Sequence, residues 1–97
     1  MITNNLEDKQ MESFVQKQWE EIDRKLYKVM LFKDFQEAFA FMIRVAFLAE
    51  KNNHHPKWTN TFNKLEIWLC THDAGDIVTD KDRSLAKQID QLLVPCD

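Results

Sequence analysis

Residues 34–56 read Asp-Phe-Gln-Glu-Ala-Phe-Ala-Phe-Met-Ile-Arg-Val-Ala-Phe-Leu-Ala-Glu-Lys-Asn-Asn-His-His-Pro, and this stretch decides the fold. Asp34 suits a helix N-cap, and Glu37 three positions on completes a capping-box-like pair. Phe35, Phe39, Met42, Ala46 and Ala49 form one apolar stripe at helical spacing, and Ala38, Phe41, Val45 and Leu48 form a second beside it. Ile43 and Phe47 widen the arc on the other flank, which leaves Gln36, Glu37, Arg44 and Lys51 for the polar remainder. At 100° per residue the apolar surface exceeds half the circumference. One sheet face cannot cover that much of a helix. The excess is therefore expected against a second subunit, unless the other helices of the chain cover it.

Working outward, Leu6, Met11, Phe14 and Val15 predict a first helix from about Leu6 to Lys17. Strands are expected over Trp19–Ile22 and Leu26–Phe32, joined by Asp23-Arg24-Lys25. The second strand is apolar on both alternating sets, and its core-facing set stays open. After Pro56 come a short strand, Trp58–Phe62, and a well-alternating one, Lys64–Thr71, with Leu65, Ile67 and Leu69 opposite Glu66, Trp68 and Cys70. Thr79-Asp80-Lys81-Asp82 reads as a capping box that opens a last helix with Leu85, Ala86, Ile89, Leu92 and Leu93 on one face, stopped by Pro95. The order α-β-β-α-β-β-α predicts an α+β domain: a four-stranded antiparallel sheet with three helices on one face.

The 97 residues, 44% hydrophobic, fit one domain over 1–97 with one core. The net charge of −3 and the absence of a basic stripe argue against direct nucleic-acid binding. Ala38–Ala49, the longest apolar stretch, holds Arg44 and is too short to span a bilayer, so no membrane association is expected. The start lacks the basic and apolar regions of a secretory signal. Cys70 and Cys96, in no CxxC pattern, read as free thiols in a reducing cytosol, which makes the expected location cytoplasmic.

All three histidines sit at element ends: His54 and His55 before Pro56, and His72 before the Asp73-Ala74-Gly75-Asp76 turn. Imidazole titrates near neutral pH and suits proton transfer. For either member of the pair the plainer role is capping the helix C-terminus, favoured by the helix dipole. A three-histidine zinc site is a rival, but the usual ligand spacings are absent and adjacent residues diverge. Acid–base work without metal fits better, with Glu50 available to orient a ring or raise its pKa. The helix cap accounts for Asp82 without any chemistry. Trp58 and Trp68 either stack on a planar ligand or pack as strand aromatics, with packing favoured for Trp68.

Together these residues resemble the pterin-4a-carbinolamine dehydratase family: Glu50, His54-His55-Pro56, Trp58, Thr71-His72 and a downstream Asp82, in order. The likeness runs from about Trp19 to Leu92 and includes Phe32-Lys33-Asp34-Phe35 and Glu37-Ala38 at the start of the central helix. Family members commonly have Gly-Gly where this chain has Gly75-Asp76, and their loop before the aspartate is one residue shorter. The resemblance implies dehydration of 4a-hydroxytetrahydropterin to quinonoid dihydropterin, with His54 and His72 sharing the base and acid roles. It implies that His55 orients the pterin, that Glu50, Pro56, Trp58 and Asp82 contribute to binding, and that no metal or organic cofactor takes part. It implies a homodimer or homotetramer built through the sheet edge and the central helix, and a functional link to an aromatic amino acid hydroxylase. The alternative is a non-catalytic binding or assembly protein on the same scaffold.

Overall fold

The computed structural model of the chain describes residues 18–93. The expected helix over Leu6–Lys17 and the stop at Pro95 lie outside the described residues. The remainder is β1 (Glu20–Ile22), β2 (Lys25–Leu31), α1 (Phe35–Asn52), β3 (Lys57–Thr61), β4 (Lys64–Leu69), a 3-10 turn (His72–Ala74) and α2 (Asp80–Leu92). The strands form one antiparallel sheet in the order β1-β2-β4-β3. The α+β architecture is as expected, and two of the three expected helices fall within the described residues.

The turns explain small shifts in the strand ends. Ile22 pairs with Lys25, so β1 and β2 are joined by Asp23 and Arg24 alone, with φ of 52° and 64°. Two residues at positive φ make the turn whose twist matches a hairpin, without the Asn-Gly that usually signals it. Lys25 thus belongs to the strand. In the second hairpin Thr61 pairs with Lys64, and Phe62, at φ 54°, turns the chain rather than ending β3.

The alternation of β2, open on sequence grounds, resolves to Leu26, Lys28 and Met30 on the buried face. A lysine in the middle of the buried set is what hid the pattern. Its stem runs through the core and its Nζ reaches Asp90 Oδ1 on α2 at 2.7 Å, with the Trp19 ring alongside. Trp19 Nε1 donates to the same oxygen at 3.0 Å, so one carboxylate ties α2 to the sheet.

Leu65, Ile67 and Leu69 of β4 lie on the same face as Met30 and are fully buried beneath the helices. From α1, Ala38, Phe41 and Val45 join them in the core, and Ala49 is buried as well. Burying one such Leu, Ile, Val or Phe side chain is worth roughly 1.5–3 kcal/mol. From α2 come Leu85, Ala86 and Ile89. On the outer side of α1, Phe35, Phe39, Ile43 and Phe47 follow at intervals of four and stand 50, 48, 45 and 72% exposed. Part of the expected excess of apolar surface is therefore left uncovered by the described residues.

The start of α1 differs in one detail from the expected box. Asp34 accepts from Glu37 N–H at 2.8 Å, but Glu37 Oε1 reaches back to the N–H of Lys33, one residue before the cap.

Candidate functional site

The end of α1 places the histidine pair. Asn53 adopts the left-handed conformation at φ 50°, and its N–H donates to Glu50 O while His54 N–H donates to Ala49 O at 3.0 Å. That paired closure is a Schellman ending, with asparagine where glycine is commonest. It reverses the chain within two residues and turns the His54 ring inward. Pro56 then releases the chain into β3.

His54 Nε2 lies 2.6 Å from Asp82 Oδ1, and its side chain is only 11% exposed. Asp82 is fully buried. The reason is periodicity: Asp82, Leu85, Ala86 and Ile89 occupy one core-facing stripe of α2, so the third residue of the cap points into the protein. The capping box is present, with Thr79 N–H donating to Asp82 Oδ2 at 2.8 Å. Thr71 Oγ1 donates to the same oxygen at 2.7 Å and meets the Thr79 hydroxyl at 2.6 Å. The cap and the histidine contact use different oxygens, so Asp82 serves both. Burial pushes its carboxyl up, but the hydrogen bonds from His54, Thr71 and the Thr79 N–H outweigh this and hold it below the ordinary carboxylate value.

Glu50 does not partner His54. Its Oε1 meets His55 Nε2 at 2.7 Å on the surface, because the Schellman turn sends the two adjacent rings in different directions. His72 also has a carboxylate: its Nδ1 lies 3.0 Å from Asp76 Oδ1. That hydrogen bond, and then the charges of Asp76 and Asp73, raise the His72 pKa above its ordinary value. Asp76 sits at φ 59° and Gly75 at φ 92°, where left-handed backbone suits glycine and tolerates aspartate. The residue that departs from the Gly-Gly pattern thus supplies the partner of His72. An acid four residues after a histidine across a Gly turn is the signal that sequence reasoning passed over.

Each histidine therefore carries its own acid. Among the described residues no group of three or more His, Cys, Asp and Glu is gathered to hold a metal ion. Asp82 and Thr71 bring His54 close to the His72 turn. Thr71 precedes His72, its N–H donates to Ile77 O at 2.8 Å, and its carbonyl accepts from Ala74 and Asp76. An open cleft of about 390 Å³ lies beside this turn, bounded by Thr71, Asp73, Ala74, Thr79, Asp80 and Lys81. The histidine rings are not in its wall. Trp58 pairs with Ile67 on the helix-facing side and packs half-buried against the core. Trp68 lies on the opposite sheet face, 5.2 Å from Tyr27, with Lys57 Nζ 5.4 Å from its ring.

Residues 4–92 match the family described as pterin 4 alpha carbinolamine dehydratase. The chain belongs to this family. A relative from Prochlorococcus marinus strain NATL2A, named "Putative pterin-4-alpha-carbinolamine dehydratase", is 44% identical over 91% of this dehydratase-family chain and 94% of its own length. A crystal structure from Brucella melitensis, titled as a transcriptional coactivator/pterin dehydratase, superposes with a TM-score of 0.72 at 36% identity, covering 76% of this chain and 80% of that one. A pterin dehydratase-like protein identified as a RuBisCO assembly factor in the alpha-carboxysome shares the fold: TM-score 0.70, 22% identity, 84% of this chain and 96% of that one. Among the described residues of the dehydratase-family chain, no helix is long and apolar enough to cross a membrane.

Proposed function

We propose that this chain dehydrates a 4a-hydroxytetrahydropterin to the quinonoid dihydropterin and water, using histidine general acid–base catalysis. The observation that carries the reading is the buried Asp82–His54 pair tied, through Thr71, to the turn bearing His72. Elimination breaks the C4a–O bond, removes the proton on N5 and leaves a C4a=N5 double bond. His54, with Nε2 committed to an ionised Asp82, accepts the N5 proton at Nδ1. His72, whose raised pKa favours its protonated form, gives a proton to the departing hydroxyl. The proton gained by one ring equals the proton lost by the other, and solvent restores both. Such help is typically worth about 10²–10⁴-fold.

His55, held by Glu50, orients the pterin, and Pro56 and Trp58 shape the adjoining wall. The pterin is the substrate, and neither metal nor organic cofactor is required. We place the enzyme in the cytoplasm, downstream of an aromatic amino acid hydroxylase that produces the carbinolamine. We also assign the exposed Phe35, Phe39, Ile43 and Phe47 stripe of α1 to a homo-oligomer contact, dimeric or tetrameric, with sheet edges joining as well. The test is the rate of carbinolamine loss with chelator-treated protein, compared between wild type, His54→Ala and His72→Ala. Acceleration that both variants largely lose supports the reading, and equal rates in all three reject it.

A second reading is a non-catalytic assembly protein. It draws on the uncovered α1 stripe and on a fold neighbour identified as an assembly factor. The same assay separates the two, since this reading requires no acceleration by wild type.

A further inference from the structure

The contacts around Asp82 have a direction that follows from counting hydrogens. A hydroxyl has one proton to donate, and an ionised carboxylate has none. The Thr71 hydroxyl, buried at 6% exposure, donates its proton to Asp82 Oδ2 at 2.7 Å. Its 2.6 Å contact with Thr79 Oγ1 must then be donated by Thr79. Thr79 Oγ1 in turn accepts from Lys81 N–H at 3.3 Å. Every donor in the chain Lys81, Thr79, Thr71 therefore points toward Asp82. Oδ2 receives two good donors, Thr71 O–H and Thr79 N–H, with the Thr79 hydroxyl oxygen farther off at 3.5 Å, while among the described residues Oδ1 meets His54 Nε2. Two donors on Oδ2 favour an ionised carboxylate, and an ionised Oδ1 requires the His54 proton on Nε2.

We propose that Thr71 is a positioning residue of this site. Its hydroxyl fixes the Asp82 carboxylate with Oδ1 as an acceptor for His54 Nε2, which leaves Nδ1 as the basic atom of the His54 ring. The proposal rests on the dehydratase reading for its kinetic consequence, but its structural content is independent of it. The backbone of Thr71 also closes the turn that carries His72, so one residue sets the base directly through Asp82 and the acid through the chain. Without the hydroxyl, Oδ2 keeps one good donor. The Asp82 carboxyl is then more easily protonated: solvent supplies one proton to Nδ1, the Nε2 proton passes to Oδ1, and His54 stands as the Nδ1–H tautomer, which cannot accept the substrate proton there.

The experiment uses the full chain, without substrate, and reads the imidazole nitrogens of His54 by long-range ¹H–¹⁵N NMR in wild type, Thr71→Val and Thr71→Ser. Wild type and Thr71→Ser are expected to show a protonated Nε2 and a bare Nδ1, and Thr71→Val a mixture with Nδ1–H. In the dehydration assay, kcat of Thr71→Val is expected to fall on the order of 10²-fold with KM nearly unchanged, and the serine to recover most of it. A folded Thr71→Val whose His54 tautomer matches wild type overturns the proposal. Should the valine variant fail to fold, Thr71→Ala removes the same hydroxyl without adding a methyl group. A shift of His54 toward Nδ1–H in that variant supports the proposal, and no shift overturns it. If wild type does not accelerate dehydration, the dehydratase reading fails, and the tautomer data still decide the role of Thr71.

Discussion

His54 Nε2 and Asp82 Oδ1, twenty-eight positions apart in sequence, meet at 2.6 Å in a nearly dry setting. In Asp82→Asn the amide can still accept from Thr79 and Thr71, but its NH₂ then faces Nε2 and demands the opposite tautomer of His54. We expect a folded protein less stable by about 1–3 kcal/mol, the cost of mismatched buried polar groups. Dehydration is expected to slow by about 10²–10⁴-fold. Urea unfolding and initial rates of carbinolamine loss check the two effects separately.

The lowered Asp82 pKa has a stability consequence at acid pH. A carboxyl whose folded pKa lies below its unfolded value contributes stability above the unfolded value, and loses it as pH falls through the folded one. The ordinary value is 3.8, so the contribution is complete near neutrality and fades only below that point. Melting temperature against pH should fall more steeply at the acid end for wild type than for Asp82→Asn, which has no carboxyl to protonate. Parallel curves would count against the ionised pair.

Asp76 raises the His72 pKa, so Asp76→Asn should return the His72 NMR titration midpoint toward its ordinary 6.5. With His72 as the acid, the high-pH limb of the dehydration profile should move to lower pH in the same variant. Because both side chains are exposed, little change in melting temperature is expected. A His72 midpoint unmoved by the substitution would break the link.

Tyr27 is the single tyrosine of the chain, so its alkaline absorbance titration is unobscured. Its hydroxyl donates to Glu66 Oε2 at 2.7 Å, and that bond, with burial and the Glu66 charge, pushes its pKa up to about 12 from 10.0. A raised folded pKa means stability present below 10.0 and lost as pH rises toward about 12. Glu66→Gln should bring the tyrosinate midpoint down toward 10.0.

Phe39→Glu and Phe47→Glu alter side chains that stand 48 and 72% exposed on α1. Exposed substitutions typically change fold stability by less than about 0.5 kcal/mol. Light scattering should therefore show wild type as a homo-oligomer and the variants as smaller, folded species. A monomeric wild type would remove the oligomer proposal.

Much of this was legible along the chain. The α1 stripes, the Asp34 and Thr79 caps, the β4 alternation and the ordered His54-His55-Pro56 and Thr71-His72 motifs are local patterns. Local hydrogen bonding and the periods of helix and strand dictate them. What the local patterns left open was partnership. The open side of β2 was settled by Asp90, a distant carboxylate that lets Lys28 lie in the core. Glu50, available on sequence grounds to orient a ring, went to His55 because a left-handed Asn53 turned the two rings apart. Asp82, which a helix cap explains in full, is also the acid of His54, because the register of α2 faces that residue inward. Sequence determined which elements form and which residue types stand ready at their ends. Only tertiary packing decided which carboxylate each imidazole meets, since hydrogen bonds at 2.6–3.0 Å depend on how separate elements are rotated against one another, and no local period encodes that rotation.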